Sequence, residues 1–197
     1  MANIDGQSYA FAALTPILTG STQGVIHVAE LRSVLARLNA ESPSPITKVP
    51  GTHFLRWNII DTMPQLGFPT REDPLKSKYL LLETDFDGDR DAWIDGFATA
   101  VPDLITAIYR HCAGFPGLND PATFRQYLVA AQLDTTLDFA PYSTQSLDRV
   151  LRALETQRRF VVFARQAQGR PDAEVRVAFS QFVEQLRDMP TPPPGTL

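Results

Sequence analysis

Apolar and polar positions alternate, or recur every three to four residues, in blocks that can be read along the chain. Residues 9–16, "YAFAALTP", pair aromatics with small residues in a short apolar run and predict a strand. From residue 25 the period changes. Ile26, Ala29, Val34, Leu35 and Leu38 fall at the spacing of an amphipathic helix. Pro43, Pro45 and Pro50 then predict an extended linker, because each proline lacks a donor and disfavours helix before it. Residues 52–61, "THFLRWNIID", are aromatic and β-branched and predict a second strand. A proline-bearing loop over 62–77 leads to a third strand at 78–86.

Residues 89–112 read as helix, with Trp93, Ile94, Phe97, Val101, Leu104, Ile105 and Ile108 on one side. Pro102 falls inside that pattern and predicts a kink or a split into two helices. A short helix at 120–133 has Pro121 in its first turn, and "TTLDFAPY" at 135–142 predicts a fourth strand. A long helix spans 146–168 even though "FVVFA" within it has strand character. Gly169 stops it, and Pro171 and Asp172 open a last helix presenting Val175, Phe179, Phe182 and Leu186 on one face.

The resulting order is β-α-β-β-α-(α)-β followed by two helices. It predicts an α+β protein of ferredoxin-like, split βαβ type: an antiparallel sheet with helices on one face and an α-helical C-terminal extension. The organisation expected is a domain over 1–145, a helical extension over 146–189 packed on it, and a disordered tail over 190–197. The uncovered sheet face needs a partner, and a homodimer supplies one.

Composition narrows the class further. With 197 residues, 44% hydrophobic, the chain can bury one sizeable core. A net charge of -4 argues against a nucleic-acid surface. A single cysteine, Cys112, fits a reducing compartment and lies in an apolar helical stretch, which predicts a buried small side chain rather than a nucleophile. No signal-peptide pattern or membrane-length apolar run is present, so the expectation is a cytoplasmic protein without membrane partners.

Asp85, Asp87, Asp89 and Asp91 alternate around Gly88 and invite a calcium reading. An EF-hand loop needs glycine at position 6 and glutamate at position 12. Counting from Asp85 these positions hold Arg90 and Gly96, and counting from Asp87 position 12 is Ala98. The stretch therefore reads as a turn at Asp87–Gly88, with Asp89 capping the next helix and Asp91 complementing its dipole. No metal site is expected. Nucleophile elbow, phosphate-binding loop and dinucleotide-binding glycine patterns are also missing.

"THFLRW", "LLLETDFDG", "GFP" and "FRQYLVAAQL" followed by "PYS" together resemble a group of bacterial proteins in the dimeric α+β barrel superfamily. The resemblance covers roughly residues 50–160. That superfamily also holds dye-decolourising peroxidases and chlorite dismutases, so the resemblance implies a dimer and, as an alternative function, haem-dependent peroxidase chemistry. This chain departs from the peroxidases at their G-x-x-D-G motif, where "TDFDG" and "AWIDG" lack the first glycine. Its histidines are His27, His53 and His111. His27 reads as a surface or core helix residue, and His111 as an imidazolium favoured at a helix end.

His53, Arg56 and Asn58 stand out on an apolar strand. Alternation sets Phe54, Arg56, Asn58 and Ile60 on one face and His53, Leu55 and Trp57 on the other. Arg56 either pairs with Glu83 or Asp138 to hold the fold, or waits in a cavity for an anionic ligand. With Tyr9, Phe11, Trp57 and Tyr79 as an aromatic lining, the reading is a small enzyme or ligand-binding protein for an apolar or aromatic molecule. In it His53 serves as acid or base and Arg56 holds a carboxylate or enolate, with Asn58, Trp57, Tyr79 and Glu83 contacting the substrate. A non-catalytic dimeric module acting through the C-terminal helices is the remaining alternative.

Overall fold

Leu80, Leu82, Thr84 and Phe86 alternate with Tyr79, Leu81, Glu83 and Asp85, and this pattern makes one long strand the centre of the sheet. The computed structural model describes residues 8–63, 67–68 and 73–196. Its main sheet is antiparallel, with β5 (Asp73–Asp87) between β1 (Ser8–Pro16) and β4 (Thr52–Met63). The long strands take in residues 62–63 and 73–77, which the residue pattern assigns to the connecting loop. The rest of that loop lies largely outside the described residues.

Between β1 and β4 come a small hairpin of β2 (Ser21–Thr22) and β3 (Val25–Ile26), helix α1 (His27–Ala40) and a 3₁₀ turn, Pro45–Lys48. After β5 follow α2 (Arg90–Ala100), α3 (Pro102–Tyr109), α4 (Pro121–Ala130), α5 (Leu147–Ala167) and α6 (Asp172–Arg187). The fold is mixed α+β, with six α-helices among the described residues. No described helix is long and apolar enough to cross a membrane. The chain divides into two compact units, Met1–Thr144 and Gln145–Leu197.

In the first unit the core lies between one sheet face and the helices. Phe86 stacks on Trp93 with ring centroids 4.4 Å apart, and Trp93 stacks in turn on Phe97 at 5.0 Å. Tyr9 stacks on Phe86 from β1, and the Trp93 indole donates to Thr52 Oγ1 at 3.0 Å. Leu31, Ile94, Ile105, Ile108, Phe124 and Leu128 close the same core from α1 to α4.

Local chemistry sets the helix ends as expected. Asp89 caps α2 by accepting from Ala92 N at 2.8 Å, and Gly88 takes a left-handed φ of 89° to make the turn. Val101 ends α2 and Pro102 starts α3, so the proline splits the helix. Asp120 and Ser146 cap α4 and α5, and the "FVVFA" stretch is helical. Residues 190–196 carry neither helix nor strand.

Two expectations need correction. The first helix starts at His27, not at residue 25, because Gln23 and Gly24, both at positive φ, turn a two-residue hairpin there. Ile26 is 58% exposed, and the buried side of α1 is His27, Leu31 and Val34.

The expected strand at 135–142 is not formed. The outer edge of β1 is already occupied: Leu14 N donates to Ala131 O, Leu133 N to Ala12 O and Ala113 N to Pro16 O, at 2.7–2.8 Å. The alternating apolar residues of 135–142 find no covered face, and Leu137 and Phe139 are 84% and 83% exposed.

This contrast can be measured by urea unfolding. Leu137→Ser and Phe139→Ser should each change stability by less than about 0.5 kcal/mol, whereas Phe86→Ala should cost about 3–5 kcal/mol. A loss above 2 kcal/mol on Phe139→Ser, well beyond the ~0.5 kcal/mol of a surface site, would show that 135–142 does pack as a strand.

Candidate functional site

Antiparallel register sets Arg56 directly opposite Glu83 on the sheet face away from the helices. The guanidinium forks onto the carboxylate, Nε to Oε2 at 2.7 Å and Nη2 to Oε1 at 3.0 Å. Asn58 Nδ2 adds a third donor to Oε2 at 3.2 Å, and the Phe54 ring lies 5.6 Å from the Arg56 charge. Hydrogen bonding from Arg56 holds the Glu83 carboxyl below its usual range. Of the two carboxylates considered for Arg56, the partner is Glu83. Asp138 acts on Asp85, whose carboxyl is pushed up by burial first and then by the Asp138 charge. The Arg56 side chain is 59% exposed, so the pair is a solvent-facing one.

His53 is not placed as alternation predicts. A register shift between Thr52 and Phe54 makes it the extra residue of a bulge. Its Nε2 lies 2.8 Å from Asp87 Oδ1, and Asp87 shares its side of β5 with Glu83 and Asp85. The structure therefore forms two separate pairs, His53–Asp87 and Arg56–Glu83.

Of the expected aromatic lining, Phe11 is core and Tyr9 is engaged by Phe86 and by Gln132 Nε2 at 3.3 Å. Tyr79 sits opposite Ile60 and Pro16. Trp57 does border open space. A cleft of about 300 Å³ lies beside edge strand β4. Leu35 and Leu38 of α1, Ile46 of the 3₁₀ turn, Leu55 and Trp57 of β4 and Leu104 of α3 make it apolar, and Asn39, Ser44 and Arg56 add polarity. Trp57 Nε1 points to Tyr109 OH at 3.5 Å. Tyr79, Asn58, Glu83 and His53 do not line this cleft.

A second polar group went unread in the sequence. His27 and His111, only 7% and 3% exposed, meet Nδ1 to Nδ1 at 3.2 Å. The partners assign the protons. Arg110 Nε donates to His111 Nε2 at 3.2 Å, so His111 carries its hydrogen on Nδ1 and donates to His27. His27 then carries its hydrogen on Nε2 and donates to Thr22 Oγ1 at 3.0 Å. His111 is neutral in this arrangement, because its Nε2 has to accept. Burial, then the charges of Arg110 and His27, lower the His111 pKa, and Glu30 opposes them. His111 is thus a neutral link in a buried chain, not an imidazolium at a helix end. No local pattern announces a pair 84 residues apart.

The three histidines, His27, His53 and His111, bear on the haem alternative through their ring nitrogens. All three Nε2 atoms are engaged, by Thr22, Asp87 and Arg110, and two of the rings are buried. Cys112 is 2% exposed, with burial pushing its thiol up to about 11, and accepts from Thr15 Oγ1 at 3.6 Å. It behaves as the expected buried side chain. Asp91 accepts from Arg90 Nε at 2.8 Å. Among the described residues no cluster of three or more His, Cys, Asp or Glu could hold a metal.

The histidine chain has a pH signature. The His111 pKa is lowered on folding, so below the ordinary imidazole value near 6.5 the unfolded state binds the proton more readily. Stability should be intact above pH 6.5 and fall beneath it, by up to about 1.4 kcal/mol per pH unit, until the lowered value is passed. His111→Asn should flatten this slope in denaturant titrations between pH 5 and 7.5, a window about the ordinary imidazole value. An unchanged slope in the variant would remove His111 from the account.

Comparison with protein-family models, with curated proteins and with solved structures finds no match.

Proposed function

We propose that the chain binds a small apolar or aromatic molecule carrying an anionic group, in the cleft beside β4. The observation behind this reading is the cleft itself, an apolar recess lined by the Trp57 ring with Arg56 among its few polar side chains. Glu83 uses Arg56 Nε and Nη2, and Nη1 has no partner among the described residues. A carboxylate or enolate oxygen can therefore take a charge-assisted hydrogen bond without displacing Glu83. His53, paired with Asp87, is the acid–base candidate nearest in sequence. Since it does not line the cleft, the reading is of binding rather than of a reaction.

The finer fold reading, a ferredoxin-like sheet paired face to face with that of a second copy, draws support from the β1-β5-β4 order and from Phe54, 41% exposed on the uncovered face. The Arg56–Glu83 pair on that face weighs against it, because burying an ion pair carries a desolvation penalty.

The test is a titration of aryl carboxylates such as phenylacetate and naphthoate, with their neutral amides as controls, followed by calorimetry. Arg56→Met should weaken carboxylate binding about tenfold or more, leave the amides unaffected and lower the melting temperature of the free protein only slightly. Leu104→Trp should fill the cleft and abolish both. Equal loss for acids and amides on Arg56→Met, or saturable binding that persists in Leu104→Trp, would overturn the assignment.

A further inference from the structure

The unit Gln145–Leu197 is built from α5 and α6, joined by a short turn in which Gly169 takes a φ of 74°. The two helices meet through four phenylalanines. Phe163 stacks on Phe182 with centroids 5.0 Å apart, while Phe160 and Phe179 flank them at 5.9–6.4 Å. This cluster is only half covered. Phe182 is buried, but Phe160 and Phe179 remain 48% and 47% exposed.

The apolar surface of α5 is wider than one neighbouring helix can cover. At 100° per residue, Leu154 and Val161 fall on a stripe well away from Phe160 and Phe163. Leu154, Val161 and Val162 are 43–52% exposed. A helix with apolar residues on two sides belongs inside a bundle rather than at the surface of a two-helix hairpin. A separate groove of about 480 Å³, lined by both helices, is floored by Phe163, Phe182 and Leu186 and rimmed by Glu155, Arg158, Arg159 and Gln181.

We propose that this surface is a homodimerisation interface, in which the α5–α6 hairpin of one copy packs on that of a second copy to complete a four-helix bundle. Two properties point to a second copy as the occupant. The first is charge. α5 carries five arginines against Asp148 and Glu155, whereas α6 carries Asp172, Glu174 and Glu184 against two arginines. A two-fold axis that sets α5 against the partner's α6 joins a basic helix to a mildly acidic one.

The second is shape. An isologous interface must contain both halves of its own fit, and here each helix carries a half-exposed phenylalanine, Phe160 on α5 and Phe179 on α6, for a two-fold axis to bring together. The size is also adequate. The hairpin face is roughly 24 by 20 Å from helix rise and packing distance, and side-chain relief raises its accessible area toward the ~800 Å² per partner of a standard interface.

Sedimentation of the full chain tests this. At about 50 µM the protein should run as a dimer, since an interface of this size supports micromolar association. Phe160→Glu should weaken the dimer at least about tenfold, with helix content retained by circular dichroism. Leu154→Glu, at an exposed position, repeats the test if Phe160→Glu misfolds. Raising the salt should weaken the parent dimer through the α5–α6 charge pairing. Phe54→Glu on the sheet face and Leu137→Glu should leave the dimer intact. A monomer at this concentration overturns the proposal. So does a dimer that survives both helix variants, or one lost only with Phe54→Glu, which would move the interface to the sheet.

Discussion

Phe86 and Trp93 are seven residues apart in the chain, and stacking their rings at 4.4 Å requires the backbone to reverse between them. The reversal is made by Gly88 at positive φ and by Asp89, whose carboxylate accepts from one of the orphan donors of α2, Ala92 N. Once α2 lies across β5, Phe97 continues the stack, Tyr9 closes it from β1, and Thr52 anchors the indole from β4. A single aromatic column thus ties all three strands to one helix layer, and it leaves the opposite sheet face to Arg56, Asn58 and Glu83.

Strand β4 serves two environments because it lies at the sheet edge. Trp57 looks toward the helices, where the chain leaves a cleft, while Arg56 extends along the solvent side and still reaches the cleft wall. Glu83 holds the guanidinium in a fixed fork, so the free Nη1 is offered in one orientation rather than many. The pair contributes modestly to holding the fold, since the guanidinium faces solvent although the Glu83 side chain is only 28% exposed. On the proposed binding role, its larger effect is to pre-organise a cation at the mouth of an apolar recess.

The parts of the fold legible in the sequence were those decided within a few residues. Asp89, Pro102 and Gly169 each act on the helix end beside them, and each does what its residue type predicts. Arg56 and Glu83 face each other because strand alternation survives between them, so the ion pair, one of the readings open for Arg56, is visible from the sequence.

What failed depended on competition at a distance. Residues 135–142 have strand chemistry, but the edge they needed was taken by the turns that follow α3 and α4. His53 was misassigned because one bulge reverses the alternation on which the assignment rested. Residues 21–26 are too short a hairpin to register as a pattern. The His27–His111 pair has no local signal at all.

That histidine chain also constrains how such a sequence can drift. Each link runs one way, from the Arg110 guanidinium through two rings to the Thr22 hydroxyl, so every position has an assigned polarity. A change at 27 that removes the acceptor strands the donor of 111 in a dry interior, and a change at 111 that removes the donor strands 27. Replacing both together by apolar residues of similar size avoids the penalty, as does a glutamine that reproduces one ring's donor and acceptor. In descent, the two sites should therefore behave as a single coupled character, changing in concert or not at all, although they lie 84 positions apart in the chain.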